Sequence, residues 1–107
     1  MTEEGTLKST VENYLQVLEN QGKLIFLRLN SGDFIEVRGN SRRRVKGCPA
    51  GTADFEIIVG ECTIFLELKS KNGKQNKEQK LFERKVKSFG CEYHIIRSFE
   101  ELENVLK

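Results

Sequence analysis

The sequence predicts an α/β sandwich on a mixed β-sheet, with elements in the order α-β-β-β-β-α-β-α. Three observations carry this expectation. Apolar residues recur at helical spacing near the start and again beyond residue 76. Between these segments lie short runs of β-branched and aromatic residues bounded by glycines. The chain has 107 residues, enough for one domain (1–107) with a single modest core.

The first element is a helix from about Leu7 to Gln21, because Leu7, Val11, Tyr14, Leu15 and Leu18 fall on one face and Gly22 stops it. Leu24 to Asn30 and Phe34 to Arg38 read as strands, with Ser31-Gly32-Asp33 as a hairpin turn between them. Gly39 to Gly51 reads as a polar loop holding an arginine cluster and the only proline, Pro49. Thr52 to Val59 and Cys62 to Lys69 are the next two strands, joined at Gly60-Glu61. In the second of them Ile64, Leu66 and Leu68 face one way and Phe65, Glu67 and Lys69 the other. Ser70 to Gln75 is a loop, followed by a helix from about Asn76 to Phe89 with Gly90 as its cap. Cys91 to Arg97 forms the last strand. Ser98 then caps a closing helix, with Glu101 placed to complete a capping box.

Hydrophobic residues make up 37% and charged residues 32%, an ordinary globular mixture rather than a disordered tail. No apolar run approaches the ~20 residues needed to cross a bilayer, so no membrane partner is expected. The opening Met1-Thr-Glu-Glu-Gly-Thr lacks the basic and apolar regions of a signal peptide, so a cytoplasmic location is expected. Cys48, Cys62 and Cys91 are odd in number and widely spaced, which suggests small buried hydrophobes in a reducing compartment. A net charge of +2 does not announce a nucleic-acid binder, but its distribution is uneven. Arg42, Arg43, Arg44 and Lys46 form one cluster, and Lys69, Lys71, Lys74, Lys77 and Lys80 form another after the central strand.

The chemistry-bearing stretch is Gly51-Thr52-Ala53-Asp54, twelve intervening residues, then Glu67-Leu68-Lys69. Asp54 begins a strand of core composition, and a carboxylate there is costly without compensation. Glu67 interrupts Ile64-Phe65-Leu66, and Lys69 shares its face about 6.6 Å along the strand. If the two strands pair across Gly60-Glu61, Asp54 comes level with Glu67. Two acids and an ammonium would then converge at one end of the sheet. That set suits Mg²⁺, which takes one or two carboxylates and keeps other positions for water and phosphate oxygens. Spacing alone leaves a second reading open, in which Glu67 and Lys69 are an exposed ion pair and Asp54 is a turn residue.

Asp54 followed by Glu67-x-Lys69 resembles the PD-(D/E)xK nuclease signature, with Ala53 in the place of its proline. The wider pattern resembles a stand-alone VRR-NUC domain, the virus-type replication-repair nuclease. The matching residues are Glu12-x-x-Leu15, Arg28-x-Asn30-Ser31-Gly32, Gly51-x-Ala53-Asp54, Glu67-Leu68-Lys69, Gln79, and Gly90 through Ser98. They cover nearly the full chain in order. The resemblance implies a restriction-endonuclease-like mixed sheet flanked by helices. It implies Asp54 and Glu67 as ligands of Mg²⁺ (or Mn²⁺), with the Leu68 carbonyl and Glu12 as further ligands. It implies Lys69 as the catalytic lysine and Gln79 as a residue beside the site. Helical spacing agrees for Gln79, which shares a face with Phe82, Val86 and Phe89, whereas Glu12 lies on the flank of the first helix's apolar stripe.

Beside such a site Arg42, Arg43, Arg44 and Lys71 would contact DNA phosphates, although charge runs are usually solvated. His94, the only histidine, reads as packed rather than catalytic, and Tyr14, Tyr93 and the seven phenylalanines read mostly as core. Three functions stay open. The resemblance implies the first, a metal-dependent endonuclease selective for branched, Holliday-junction-like DNA, acting as a homodimer because one small chain holds one site. The second is a broad-range nickase or flap nuclease of a phage or prophage in a bacterial host. The third is a non-catalytic DNA-binding module of the same fold.

Overall fold

The computed structural model describes residues 2–31 and 33–107, with Asp33 described by its backbone alone. Helix α1 spans Glu3–Asn20 and starts one turn earlier than the apolar periodicity suggests. The reason is its cap: Thr2 Oγ1 accepts the Gly5 N–H at 3.0 Å, and Glu3 and Glu4 sit in the first turn. Gly22, at φ 75°, ends the helix as expected.

Four strands form the central sheet in the order β1-β4-β5-β6: β1 Ile25–Arg28, β4 Phe55–Val59, β5 Cys62–Leu68 and β6 Glu92–Ile96. The β1–β4 and β4–β5 pairs are antiparallel and β5–β6 is parallel, so the sheet is mixed. The parallel pair is joined through α2, Lys77–Ser88. The expected alternation in β5 holds. Ile64, Leu66 and Leu68 enter the core with Val11 and Leu15 of α1, Phe55 and Ile57 of β4, and Leu102 of α3, Phe99–Val105. On the opposite face Phe65 meets Phe82 of α2 edge to face, with ring centroids 5.3 Å apart. Helix α2 carries no fully buried residue, and Phe89 at its end is 87% exposed, so the apolar stripe expected there ends at Val86.

The largest departure lies between residues 29 and 51. The structure has five strands before α2 rather than four, in the order α-β-β-β-β-β-α-β-α. The 39–51 segment expected as a loop contains β3, Ser41–Lys46, which pairs antiparallel with β2, Asp33–Arg38, in a separate two-stranded sheet. Its turn is Gly39-Asn40, with Gly39 at φ 57°. The hairpin expected across Ser31-Gly32-Asp33 does not form, since β1 pairs with β4 instead; Gly32 itself lies outside the described residues. The arginines of β3 carry no hydrophobic periodicity, but Arg43 pairs across the ladder with Glu36 at 3.2 Å, which Arg38 of the same β2 strand also holds.

Smaller corrections have local causes. Thr52–Asp54 precede β4 rather than belonging to it. Ser98 Oγ accepts the Glu101 N–H at 3.2 Å, but the Glu101 carboxylate takes the Arg97 N–H and leaves the box one-sided. Cys62 is exposed and Cys48 and Cys91 are half-buried, so the cysteines are free thiols near the surface rather than core hydrophobes. No helix among the described residues is long and apolar enough to cross a membrane.

Candidate active site

The β4–β5 ladder pairs Phe55 with Leu66, so one step further Asp54 stands level with Glu67. The backbone there is held from both sides. Asp54 N donates to Leu66 O at 2.9 Å, and Asp54 O accepts from Leu29 N at 2.9 Å. The side chain is held as well, with Oδ2 accepting the Leu68 N–H at 2.7 Å. The bend that delivers Asp54 depends on Gly51, whose φ of 91° is left-handed and whose Cα lies against α2. A Cβ at Gly51 would fall 2.4 Å from the Glu78 carbonyl oxygen, so only glycine fits.

Glu67 is 3% exposed. Its Oε2 accepts a long 3.4 Å hydrogen bond from Gln79 Nε2. Its Oε1 is buried with no hydrogen-bond partner among the described residues. Burial pushes its carboxyl up to about 8, reinforced by the neighbouring Asp54 carboxylate and the Glu4 charge. Lys69 acts in the opposite direction but does not offset them. A protonated Glu67 can donate to Asp54; ionised, it leaves Oε1 with no donor.

Gln79 has two roles on α2. Its Oε1 accepts the Asn76 N–H at 2.9 Å and Asn76 Oδ1 accepts the Gln79 N–H at 2.9 Å, a complete capping box. The box fixes the side chain so that its amide points at Glu67. Lys69 follows β5, its N–H donating to Ile96 O at 3.0 Å. The turn beyond it is clamped by Arg97, whose Nη1 donates to the carbonyls of Ser70 at 2.7 Å and Gly73 at 2.6 Å. Lys71 is exposed in that turn, its N–H taken by Glu3 Oε1 at 3.0 Å.

The site therefore gathers Asp54, Glu67, the Leu68 main chain, Lys69 and Gln79. It also gathers two residues of α1 that sequence reasoning missed. Lys8 Nζ lies 3.9 Å from Asp54 Oδ1, and Glu4, one turn before it, acts electrostatically on Glu67. Glu4, Lys8 and Glu12 share a helix face at i, i+4 spacing, and Glu4's place on it was hidden while the helix was taken to begin at Leu7. Glu12 pairs with Arg28 at 3.5 Å, two turns from Glu4. Arg42, Arg43 and Arg44 lie on the separate hairpin. His94 is half-buried, 3.0 Å from Glu92. Tyr93 is buried against α2, its hydroxyl accepting from Gln75 at 3.1 Å.

No three His, Cys, Asp or Glu among the described residues stand together as a ready metal-holding group. The donor set still fits a hard divalent cation, which needs only one or two carboxylates from the protein. Glu67 Oε1 is an orphaned buried oxygen beside a second carboxylate, and a cation there would satisfy it. No protein-family model matches the chain, and no curated protein matches it.

Proposed function

We propose that this chain is a Mg²⁺- or Mn²⁺-dependent DNA endonuclease with the restriction-endonuclease-like fold of the VRR-NUC domains it resembles. The observation that carries the reading is the half-buried Asp54 standing level with the buried Glu67 at the end of the sheet, with Lys69 directly after β5. A structural ion pair would leave both carboxylates satisfied, whereas Glu67 Oε1 has no donor. Asp54, Glu67 and the Leu68 carbonyl would hold the cation. When bound, it supplies charge neutralisation at the scissile phosphate and acidification of water.

The chain's own residues then have separable tasks. The Leu68 N–H holds Asp54 in place through Oδ2, while Oδ1, loosely paired with Lys8 at 3.9 Å, would turn to a cation or a water. The Gln79 amide orients Glu67, and the rigidity of α2's cap fixes that amide. Lys69 carries a positive charge to the phosphate and can orient the attacking water. Branched DNA is the proposed substrate and a homodimer the acting form, since each chain holds one such site. Exposed Ile25 and Leu27 of edge strand β1 and Ile58 of the adjoining β4 form an apolar patch that a second copy would cover.

The test is a panel of labelled linear duplex, single strand, flap, three-way and four-way junction, with Mg²⁺, with Mn²⁺ and with chelator. Symmetric paired nicks confined to the four-way junction support the proposal, together with a dimer mass by light scattering. Lys69→Ala is expected to cut at least ~100-fold more slowly. Cleavage that survives chelation or the Lys69 change would overturn the mechanism.

A further inference from the structure

The β2–β3 hairpin packs on no other helix or strand among the described residues. It projects from the body, in keeping with a radius of gyration of 15.1 Å, where a compact chain of this length gives about 13 Å. A bare two-stranded ribbon is marginal in water, so something is expected to cover it. Its outer face carries Ile35 and Val37, 69% and 62% exposed, alternating across the ladder with Arg44 and Arg42. Ile35, Arg42, Arg43 and Arg44 line a shallow concavity of about 420 Å³. Residues 33–46 hold five Lys or Arg against two Asp or Glu, a net +3 that exceeds the +2 of the whole chain. Two such arms face to face would repel each other, so a second copy is a poor occupant and a polyanion a good one.

The root of the hairpin is at the candidate site. Cys48 N donates to Asn30 O at 2.7 Å, and the adjacent Leu29 N donates to the Asp54 carbonyl. From that root six residues at ~3.3 Å reach about 20 Å, or about six base pairs of duplex.

We propose that this ribbon is a DNA arm that seats in the groove of a duplex flanking the candidate site. Arg42 and Lys46 would meet phosphates and Ile35 and Val37 would pack against the groove floor. A two-stranded ribbon fits the major groove. The proposal deepens, and rests on, the nuclease reading. It also separates the arginines: Arg43 borders the concavity but stands opposite Glu36 in the ladder and is held by it, so it contributes less.

The experiment measures anisotropy of a labelled 30-base-pair duplex and a four-way junction in chelator, from 50 to 200 mM salt, alongside cleavage assays in Mg²⁺. Arg42→Gln with Lys46→Gln is expected to weaken binding at least ~10-fold and to lower the salt slope by about 2. Arg43→Gln costs less than Arg42→Gln, and Arg84→Gln on the outside of α2 serves as the charge control. Ile35→Ser with Val37→Ser weakens binding without changing the slope. If the glutamine variants melt early, Arg42→Lys with Lys46→Arg keeps the charge and is expected to keep the wild-type slope. Wild-type cleavage with unchanged binding by the Arg42/Lys46 variant overturns the arm and leaves the nuclease standing. A wild type that neither binds nor cuts DNA overturns both. A dimer that dissociates on the Ile35/Val37 change, with DNA affinity intact, assigns the face to a second copy and overturns the arm.

Discussion

Replacing Glu67 with glutamine keeps the shape of the side chain and removes its ionisation. In the metal-free wild type, Glu67 titrates near 8 when folded and near 4.5 when unfolded. Between those values the folded chain holds a proton that the unfolded chain has released, so stability falls as pH rises and levels off above about 8. At ~1.4 kcal/mol per tenfold change in proton affinity, the loss is at most about 5 kcal/mol. Glu67→Gln lacks this loss. Urea unfolding in chelator should therefore find wild type and variant within ~1 kcal/mol at pH 4.5, and the variant more stable by several kcal/mol at pH 8.5. Mg²⁺ replaces the missing proton, so at pH 8.5 it should raise the wild-type midpoint, by ~2.7 kcal/mol at a hundredfold excess over Kd. The variant should barely respond, and its nuclease activity should be lost. A wild-type-minus-variant difference that stays flat from pH 4.5 to 8.5 would refute the claim that Glu67 is held protonated by burial beside Asp54.

Three further changes test the supports of the site. Gly51→Ala places a methyl group 2.4 Å from the Glu78 carbonyl at a φ of 91°. A loss of at least ~2 kcal/mol in urea is expected, because the left-handed penalty adds to the clash. Arg97→Gln frees the carbonyls of Ser70 and Gly73, and hydrogen exchange should speed up in residues 70–73 with a loss of about 2 kcal/mol. Gln79→Glu keeps the acceptor for the Asn76 N–H but removes the donor to Glu67 and adds a like charge. Far-UV circular dichroism should show α2 intact while cleavage falls at least ~10-fold, as for a misplaced catalytic group.

The central sheet was legible because its strands carry their own signals. Alternation in β5 separated Ile64, Leu66 and Leu68 from Phe65 and Glu67, and the Gly60-Glu61 turn set the register that brought Asp54 level with Glu67. The partner of β1 was not legible. Ser31-Gly32-Asp33 has good local turn chemistry, but a long-range pairing with β4 overrides it. Strand β3 was hidden for a different reason. Its residues are mostly charged, with Arg43 bridging across to Glu36, and cross-strand charge pairing leaves no trace in hydrophobic periodicity. Glu4 was missed because Thr2 extends α1 beyond its apolar stripe, and Lys8, inside the expected helix, read as an ordinary solvated residue until Asp54 was placed beside it.

The two acids are not equivalent, and the difference bears on how the site is built. Asp54 is tied to the fold: its N–H, its carbonyl and one carboxylate oxygen are each spent on the neighbouring strands. Glu67 is the opposite case, a buried carboxylate with one weak donor and one orphaned oxygen. A pair selected for stability alone would distribute donors evenly, since an unsatisfied buried oxygen costs ~1–3 kcal/mol. On the proposed reading the anchored acid sets the position, and Glu67, protonated without a cation, is the acid a cation would ionise. Changing Asp54 would confound folding with function, so Glu67 is where the chemistry can be probed with the sheet left in place.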